Sequence, residues 1–435
     1  MLKRKVLKDL ENWKKHSSNK ALLVTGARQV GKTYIIRKFA QNNWANFIEI
    51  NFLDNIDAKK AVETARNSED LFFRLSTISK TPLIPKKTVI FLDEVQVVKE
   101  IVTAIKFLCE KTEFDYILSG SILGVELNNI NSAPVGFLNT IVMYPLDFEE
   151  FCWANGVNEE VILEAKNAFE NQVKIDEFAH KRLSNLLHKY MICGGMPDSV
   201  NAFIKTNNMA DVRNAQESII TQYREDISKY AGNRKLIIKR IFDIMPSEIS
   251  QQNKKFVVKN IEGDSHINRY ENDFLWLSDA NVALPTYNVR EPRYPLLTSL
   301  DIRAFKLYFS DTGLFTYLCG MDLVRDLYAD RSDINFGSIY ENFVAQELKA
   351  HQHQLLYYKN RKLGEIDFLV QAKNRVIPIE VKSGKGYKRH SALNNLMNIS
   401  NYGIEQAMVL YNGNVESNGK IMYIPIYMTM FIKKI

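Results

Sequence analysis

Residues Gly26 to Thr33 have the types and spacing of a phosphate-binding loop. Their sequence, GARQVGKT, fits G-x-x-x-x-G-K-[ST] at every fixed position. The glycines let the backbone turn so that its N–H groups face phosphate oxygens. Lys32 places a cation at the β- and γ-phosphates, and the Thr33 hydroxyl is a ligand for Mg²⁺. The pattern predicts binding of ATP and Mg²⁺ by Gly26, Ala27, Arg28, Gln29, Val30, Gly31, Lys32, Thr33 and Tyr34.

Two carboxylates follow an apolar stretch further along the chain. Asp93 and Glu94 come directly after Thr88–Leu92, which has the composition of a buried strand. Asp93 would hold Mg²⁺, and Glu94 would orient or deprotonate the attacking water. Ser119, at the end of a third apolar stretch, would face the γ-phosphate or that water. The pattern predicts ATP hydrolysis by Lys32, Asp93, Glu94 and Ser119; the alternative is a strand that merely ends in exposed acids.

A second set of chemically useful residues lies towards the carboxyl terminus. Glu380 and Lys382 alternate on one predicted strand, so their side chains share a face, and Asp367 lies on the neighbouring strand. Two carboxylates can hold a divalent cation, and a lysine can position or activate water that attacks a phosphodiester. Glu341, on the preceding helix, adds a further ligand to this predicted second metal site. The alternative is that these charged side chains only keep a strand face in contact with water.

Basic residues are concentrated in the same region. Residues 371–435 contain nine Lys and Arg but three Glu, whereas the net charge of all 435 residues is +7. Such a distribution suggests a polyanionic partner, although a solvated surface is an equal alternative. The basic residues predicted to contact a DNA backbone are Lys385, Lys388 and Arg389.

Alternating strands and helices must position the phosphate-binding loop. Ala21–Thr25 has the character of a buried strand before the loop, and Tyr34–Gln41 that of a helix after it. Further strands are predicted at 46–51, 88–92 and 116–118. Apolar strands with helices between them indicate a parallel sheet covered on both faces.

The middle of the chain has the outline of a winged helix. Three helices are predicted, Leu236–Ile244, Ser247–Gln252 and Ser265–Asn281, followed by strands Ala283–Val289 and Phe305–Phe309. In this interpretation the third helix contacts DNA, and the alternative is a helical packing domain. The predicted DNA contacts on this helix are His266, Asn268 and Arg269.

The last segment predicts a separate α/β module. A helix at Ile339–Ala350 precedes strands at Leu355–Lys359, Glu365–Val370 and Val376–Val381. A further helix and strand follow, at 391–399 and 406–411. The four cysteines are scattered without metal-binding spacing, and no stretch has the character of a membrane span. A cytoplasmic protein with no membrane partner is therefore expected.

These motifs together resemble a family of bacterial and archaeal AAA-type ATPases that carry a C-terminal domain of unknown function. Asp367, Glu380 and Lys382, with Glu341, also resemble the core of PD-(D/E)XK nucleases. The matching stretches are distributed over most of the length of the chain: TGARQVGKT (25–33), FLDEVQ (91–96), LSGSIL (118–123), YPLDFEEF (144–151), GGMPDSV (194–200), KLYFSDTGLF (306–315), GSIYENFVAQEL (337–348), EIDFLV (365–370) and PIEVKSGK (378–385).

The resemblance implies an α/β multidomain protein. Its expected parts are an AAA-type ATPase core with a parallel sheet at 1–150, a helical lid at 151–235, a winged-helix-like domain at 236–315 and a restriction-endonuclease-like domain at 316–435. One position departs from the family. Phe137 follows Gly136 where many relatives carry a basic residue that could serve as an arginine finger.

Three functions remain open at this point. The first is an ATP-driven protein that acts on DNA and cuts it with the C-terminal site. The second is a switch in which ATP controls binding of DNA or a protein without cleavage. The third is a protein-remodelling machine, which ranks last because no aromatic–glycine pore motif lies between Thr33 and Asp93. The expected partners are ATP, DNA and further copies of the chain.

Overall fold

A computed structural model describes residues 2–16, 20–79, 81–111, 113–121, 136–251, 256, 261, 270–328, 336–384 and 386–434. The chain forms two compact units. The first comprises Arg4–Tyr144 and Asp279–Asn281, and the second comprises Met1–Lys3, Pro145–Ser278 and Val282–Ile435. Within the described parts of the chain, no helix has the length and apolar character needed to cross a bilayer.

The first unit is built on a parallel five-stranded sheet in the order β2-β3-β4-β1-β5. Every residue of β1 and β3 is buried, which agrees with the continuous apolar runs in the sequence. The predicted parallel sheet is therefore confirmed. Its strands are β1 (Ala21–Thr25), β2 (Asn46–Asn51), β3 (Thr88–Asp93), β4 (Asp115–Ser119) and β5 (Leu138–Val142).

Helices accompany this sheet along the chain. The phosphate-binding loop joins β1 directly to the second helix, which begins at Lys32. In parallel sheets such loops lie at the carboxyl ends of the strands, and the ends of β3 and β4 therefore share an edge with it. The helices are α1 (Val6–His16), α2 (Lys32–Asn43), α3 (Ile56–Glu63), α4 (Ser68–Ile78) and α5 (Lys99–Lys111).

The second unit begins with helices. They are α6 (Phe148–Ala154), α7 (Glu159–Asn171), α8 (Glu177–Cys193), α9 (Pro197–Thr206), α10 (Met209–Tyr230) and α11 (Lys235–Ser250).

The prediction of two helices over 236–252 was wrong, because α11 is continuous through Pro246. The proline costs one backbone hydrogen bond, but the buried face formed by Ile241, Met245 and Ile249 continues across it. Of the predicted third helix the structure describes α12 (Glu271–Asp279). His266, Asn268 and Arg269 lie outside the described residues.

The two predicted wing strands belong to a larger sheet. Strands β6 (Ala283–Val289) and β7 (Leu300–Phe309) are antiparallel, as a wing requires. However, β6 also pairs in parallel with β8 (Leu356–Asn360), which pairs with β9 (Gly364–Ile366). The sheet order is β7-β6-β8-β9, so strands predicted for separate domains share one sheet.

A five-stranded sheet with the order β10-β11-β12-β14-β13 completes the second unit. Its three central strands are parallel, and its two edge strands are antiparallel to their neighbours. The strands are β10 (Phe368–Ala372), β11 (Arg375–Val381), β12 (Ala407–Tyr411), β13 (Glu416–Asn418) and β14 (Ile421–Pro425), and the helices that follow β7 are α13 (Thr312–Cys319), α14 (Met321–Tyr328), α15 (Gly337–Ala350) and α16 (Ser391–Met397).

Candidate ATPase site and carboxylate cluster

The phosphate-binding loop requires glycine at its first position. Gly26 has φ 140°, a conformation that side chains rarely adopt. A Cβ atom there would lie 2.1 Å from the carbonyl oxygen of Met143. Gly31, which precedes α2, is also left-handed, with φ 91°. The backbone of the loop therefore turns tightly just before α2 begins.

Lys32 lies over this loop. Its side chain is buried, and its Nζ donates hydrogen bonds to the carbonyl oxygens of Gly26 and Ala27 at 3.0 and 2.9 Å. The ammonium group is thereby held above the concave side of the backbone. A cation in this position, with the positive end of the α2 dipole behind it, suits a phosphate group.

Asp93 connects three neighbouring strands at the same edge. Its Oδ2 accepts hydrogen bonds from Thr33 Oγ1 at 2.9 Å and from Asn51 Nδ2 at 3.2 Å, and its Oδ1 accepts one from the hydroxyl of Ser119. The Thr33 hydroxyl and the Asp93 carboxylate are hard oxygen donors side by side, which fits Mg²⁺. The structure thus brings together Lys32, Thr33, Asp93 and Ser119.

Glu94 is held in a left-handed conformation next to this carboxylate. Its φ is 58°, which costs a non-glycine residue about 1–3 kcal/mol. The amide of Gln96 donates a hydrogen bond to Glu94 Oε2, and the Glu94 N–H donates to Asp93 Oδ1 at 3.1 Å. The half-buried Glu94 carboxylate is therefore oriented by its own segment.

Sequence reasoning missed Asn51, Gln96 and Arg4 at this site. Arg4 donates to the carbonyl oxygens of Val30 and Tyr144 at 3.1 and 2.6 Å, and so ties the loop to the segment after β5. Asn51 is the last residue of β2, just as Asp93 and Ser119 are the last residues of their strands. Its position at a strand end could therefore have identified it from the sequence. No sequence motif around Arg4 predicted its role, because its hydrogen bonds reach residues far away in the chain.

The other cations and rings near the loop have different surroundings. Arg37 forms a hydrogen bond from Nε to Glu49 Oε2 at 2.7 Å, so it is engaged at the surface. Arg28 and Gln29 are half-buried, whereas Tyr34 is 57% exposed. Tyr34 is therefore accessible to a ligand beside the loop.

The predicted residues of the C-terminal site also come together. Asp367 lies between β9 and β10, so the single strand predicted at 365–370 is divided there between two sheets. Its Oδ2 accepts a hydrogen bond from the backbone N–H of Val381 at 2.8 Å. Lys382 Nζ lies 2.7 Å from Glu380 Oε1, and Tyr308 donates to Glu341 Oε2 at 3.0 Å.

A buried lysine that sequence reasoning missed completes this carboxylate cluster. Lys306 on β7 is 2% exposed, and its Nζ lies 2.6 Å from Glu365 Oε1 and 4.0 Å from Glu341 Oε2. Burial lowers the pKa of Lys306, but Tyr308 and the carboxylates of Glu341, Asp367 and Glu365 outweigh it and raise the pKa overall. Lys306 could not be assigned to this cluster from the sequence, because its strand was predicted to belong to the wing of a different domain.

The same balance of burial and charge governs the second ion pair. Burial raises the pKa of Glu380 against the opposing effect of Lys382, while Glu380 and its neighbours raise the pKa of Lys382 despite burial. Lys382 therefore remains an ammonium group. Within the described part of the chain, Glu380 Oε2 is buried and has no hydrogen-bond partner.

This cluster does not bring three free ligands to one point. Among the described residues, no group of three or more His, Cys, Asp and Glu side chains is arranged to hold a metal ion. Asp367 and Glu380 still offer two carboxylates, the second with a partnerless oxygen, and Mg²⁺ is commonly held by one or two carboxylates together with water and phosphate. This reduced donor set fits a divalent cation.

The structure describes two of the three predicted DNA-binding residues of this region. Lys388 and Arg389 are exposed, and Lys388 Nζ lies 3.4 Å from Glu416 Oε2. Lys385 lies outside the described residues. Both described side chains are therefore accessible to a polyanion.

Comparison with protein families divides the chain into three matches. Residues 18–152 match an AAA domain. Residues 184–325 match a domain of unknown function (DUF8612), and residues 336–428 match another (DUF4143). Neither description names a fold or an activity, so the winged-helix and nuclease-like interpretations remain predictions.

Solved structures give weaker similarity, and a comparison with curated proteins found no match. PCH-2 of C. elegans is 13% identical over 50% of this chain and 66% of its own, with a TM-score of 0.27. The Pif1 helicase from Candida albicans is 11% identical over 42% of this chain and 47% of its own, with a TM-score of 0.24. Scores of this size carry no argument about function. The family match, together with the parallel sheet, supports an AAA-type P-loop ATPase in the N-terminal region.

Proposed function

We propose that this chain binds ATP with Mg²⁺, hydrolyses it and acts on DNA. The observation that carries the ATPase part is the junction at Asp93, where Thr33 and Ser119 meet one buried carboxylate beside Lys32. Thr33 and Asp93 would hold Mg²⁺, which when bound neutralises phosphate charge. Lys32 binds the β- and γ-phosphates.

Within this proposal Glu94 is the general base. Its carboxylate accepts a proton from the attacking water, and the Gln96 amide fixes its orientation. Ser119 positions the water or the γ-phosphate once its bond to Asp93 exchanges for one to the ligand. The remaining loop residues, Ala27 to Gly31, supply backbone N–H groups and shape.

The DNA part rests on charge and on the C-terminal cluster. Lys388 and Arg389 are exposed and follow Lys382, a residue of the cluster, within the next seven positions of the chain. We assign 1–150 to the ATPase core, 151–235 to a lid, 236–315 to a winged-helix-like part with His266, Asn268 and Arg269, and 316–435 to a nuclease-like part. The last two parts share the sheet β7-β6-β8-β9.

The ATPase rate, measured with and without DNA, tests this proposal. Duplex and single-stranded DNA of equal length are added to the protein with saturating ATP and Mg²⁺. Stimulation by either DNA supports the proposal, and Lys32→Ala should abolish it. An ATPase that is indifferent to both DNAs would remove the DNA part, and a chain without ATP affinity would remove both parts.

DNA cleavage is a second candidate, favoured by the buried Glu380 Oε2, which has no hydrogen-bond partner among the described residues, and by Asp367 directly before the neighbouring strand β10. Asp367 and Glu380, together with Glu341, would hold a divalent cation, which would activate a phosphodiester as a Lewis acid. Because Lys382 stays protonated, its role is to hold a phosphate or water by donating hydrogen bonds.

Nicking of a supercoiled plasmid with Mg²⁺ or Mn²⁺ tests cleavage. Asp367→Ala should abolish it, while the exposed Asp322→Ala should leave it unchanged. No nicking by the unaltered protein, with DNA affinity that depends on ATP, would instead favour the non-cleaving switch. A ring-shaped oligomer formed with ATP and indifferent to DNA would favour the remodelling machine.

A further inference from the structure

A cavity lies within the second unit and is lined by residues other than those of the carboxylate cluster. Its volume is about 660 Å³, within the range of ligand sites. Segments that follow three parallel strands line it: Ser383 after β11, Asn412 after β12 and Ile426 after β14. The opposite wall comes from α8. Ligands of open α/β sheets bind at such carboxyl ends of parallel strands.

Aromatic rings form much of this cavity. Tyr340, Tyr387, Tyr411 and Tyr427 line it, and the rings of Tyr387 and Tyr411 stack with centroids 4.3 Å apart. Hydrogen bonds fix their orientation: His180 Nδ1 lies 2.9 Å from the Tyr427 hydroxyl. Tyr340, Tyr411 and Tyr427 are buried, so the half-buried Tyr387 is the ring of this set that a ligand in the cavity can reach.

Amide and charged groups complete the lining. Asn185 and Asn412 are exposed side chains at the cavity, and Asn412 Nδ2 donates to the Tyr340 hydroxyl at 3.2 Å. Glu177 and Glu416 also line it, which disfavours a site for a bare phosphate group. The half-buried Tyr387 ring for stacking, amides for edge contacts and carboxylates for amino groups together match a nucleobase.

We infer that this cavity receives one unpaired base of a single-stranded stretch of DNA. The inference rests on the proposed action on DNA. Ser383 lines the cavity directly after Lys382, so a captured base holds its strand next to the carboxylate cluster. An unpaired base is required because the faces of a paired base are already covered by stacking.

Binding of short oligonucleotides tests this assignment. The measurement uses the Lys32→Ala protein, so that oligonucleotides cannot bind at the ATP site. Fluorescence anisotropy then compares the affinity for a single strand with that for a duplex of the same length at one salt concentration. The single strand should bind more tightly. Tyr387→Leu should weaken its binding roughly tenfold, because a stacking face is lost, while Tyr387→Phe should keep it.

A second variant avoids reliance on a substitution that could disturb folding. Asn412→Ala, at an exposed position, should weaken single-strand binding several-fold, and Asn418→Ala outside the cavity should not. Equal affinity of all variants, when the ATPase of the protein with Lys32 intact responds to DNA, overturns the cavity assignment alone. Absence of any DNA binding and of any ATPase response overturns both this inference and the proposed function.

Discussion

At the scale of single residues, chemistry depends on a few side chains that the strand ends hold in contact. Asp93 accepts bonds from Thr33 and Ser119. The Glu94 N–H also donates to Asp93, but the Glu94 side chain accepts from Gln96 instead, and the strained backbone conformation of Glu94 presents a separate carboxylate. Magnesium binding and proton abstraction are therefore assigned to different residues.

Replacement of the proposed base should separate binding from turnover. Glu94→Gln should bind ATP nearly as before, but its turnover should fall roughly 10²–10⁴-fold because an amide cannot accept the proton. Steady-state ATPase rates with equilibrium nucleotide binding measure both effects. The exposed Glu100→Gln serves as the control. A near-normal rate for Glu94→Gln would refute the assignment of the base.

The first glycine of the loop gives a steric prediction. Gly26→Ala places a methyl group 2.1 Å from the Met143 carbonyl oxygen and demands a strained φ, so the loop must shift. We expect loss of ATP binding in calorimetric titration, with a lowered melting temperature. Gly386→Ala should change neither, because among the described residues none beyond its chain neighbours has a heavy atom within 4 Å of the added methyl group.

At the scale of elements, the glycine-containing stretches GGMPDSV and KLYFSDTGLF contact each other. Gly194 and Gly195, at the end of α8, lie against Asp311, which caps α13. Asp311 accepts hydrogen bonds from the Gly195 and Leu314 N–H groups at 2.7 and 2.9 Å. These two stretches therefore pack together, and neither sequence taken alone predicts this contact.

Burial of Asp311 predicts a pH-dependent stability. Burial raises the pKa of Asp311 from 3.8 to about 6, although backbone N–H groups oppose it. Between these values the folded chain retains a proton that the unfolded chain has lost, so the unfolding free energy falls as pH rises, by up to roughly 3 kcal/mol. Chemical denaturation from pH 4 to 6.5 should show this slope, and Asp311→Asn should lack it. Equal slopes would contradict the prediction.

The link between the amino-terminal segment and the loop is also a property of elements. Arg4→Ala removes two hydrogen bonds to backbone carbonyls, one of them from the loop residue Val30. The ATP dissociation constant should rise several-fold while the turnover number changes less, because the chemical groups are intact. Lys8→Ala, on an exposed part of α1, should leave both unchanged.

At the scale of the whole molecule, charge predicts how DNA binding should respond to salt. Each phosphate contact contributes a slope of about −0.7 to −0.9 to the dependence of log K on log salt. The double replacement Lys388→Ala and Arg389→Ala should therefore make the slope of log K against log salt less steep, by roughly the contribution of two phosphate contacts. Lys86→Ala with Lys87→Ala, on exposed residues of the other unit, provides the matched control. Unchanged slopes would exclude Lys388 and Arg389 from the DNA contact.

The sequence by itself determined the phosphate-binding loop, the Asp93–Glu94 pair and the parallel sheet, because each depends on short-range patterns of glycine, charge and apolar runs. Tertiary structure alone decided the rest. Pairing of β6 with β8 joined two predicted domains, and it brought Lys306 into the cluster of Glu341 and Glu365. Such contacts join residues far apart in the chain, and local periodicity carries no information about which distant strand supplies the partner.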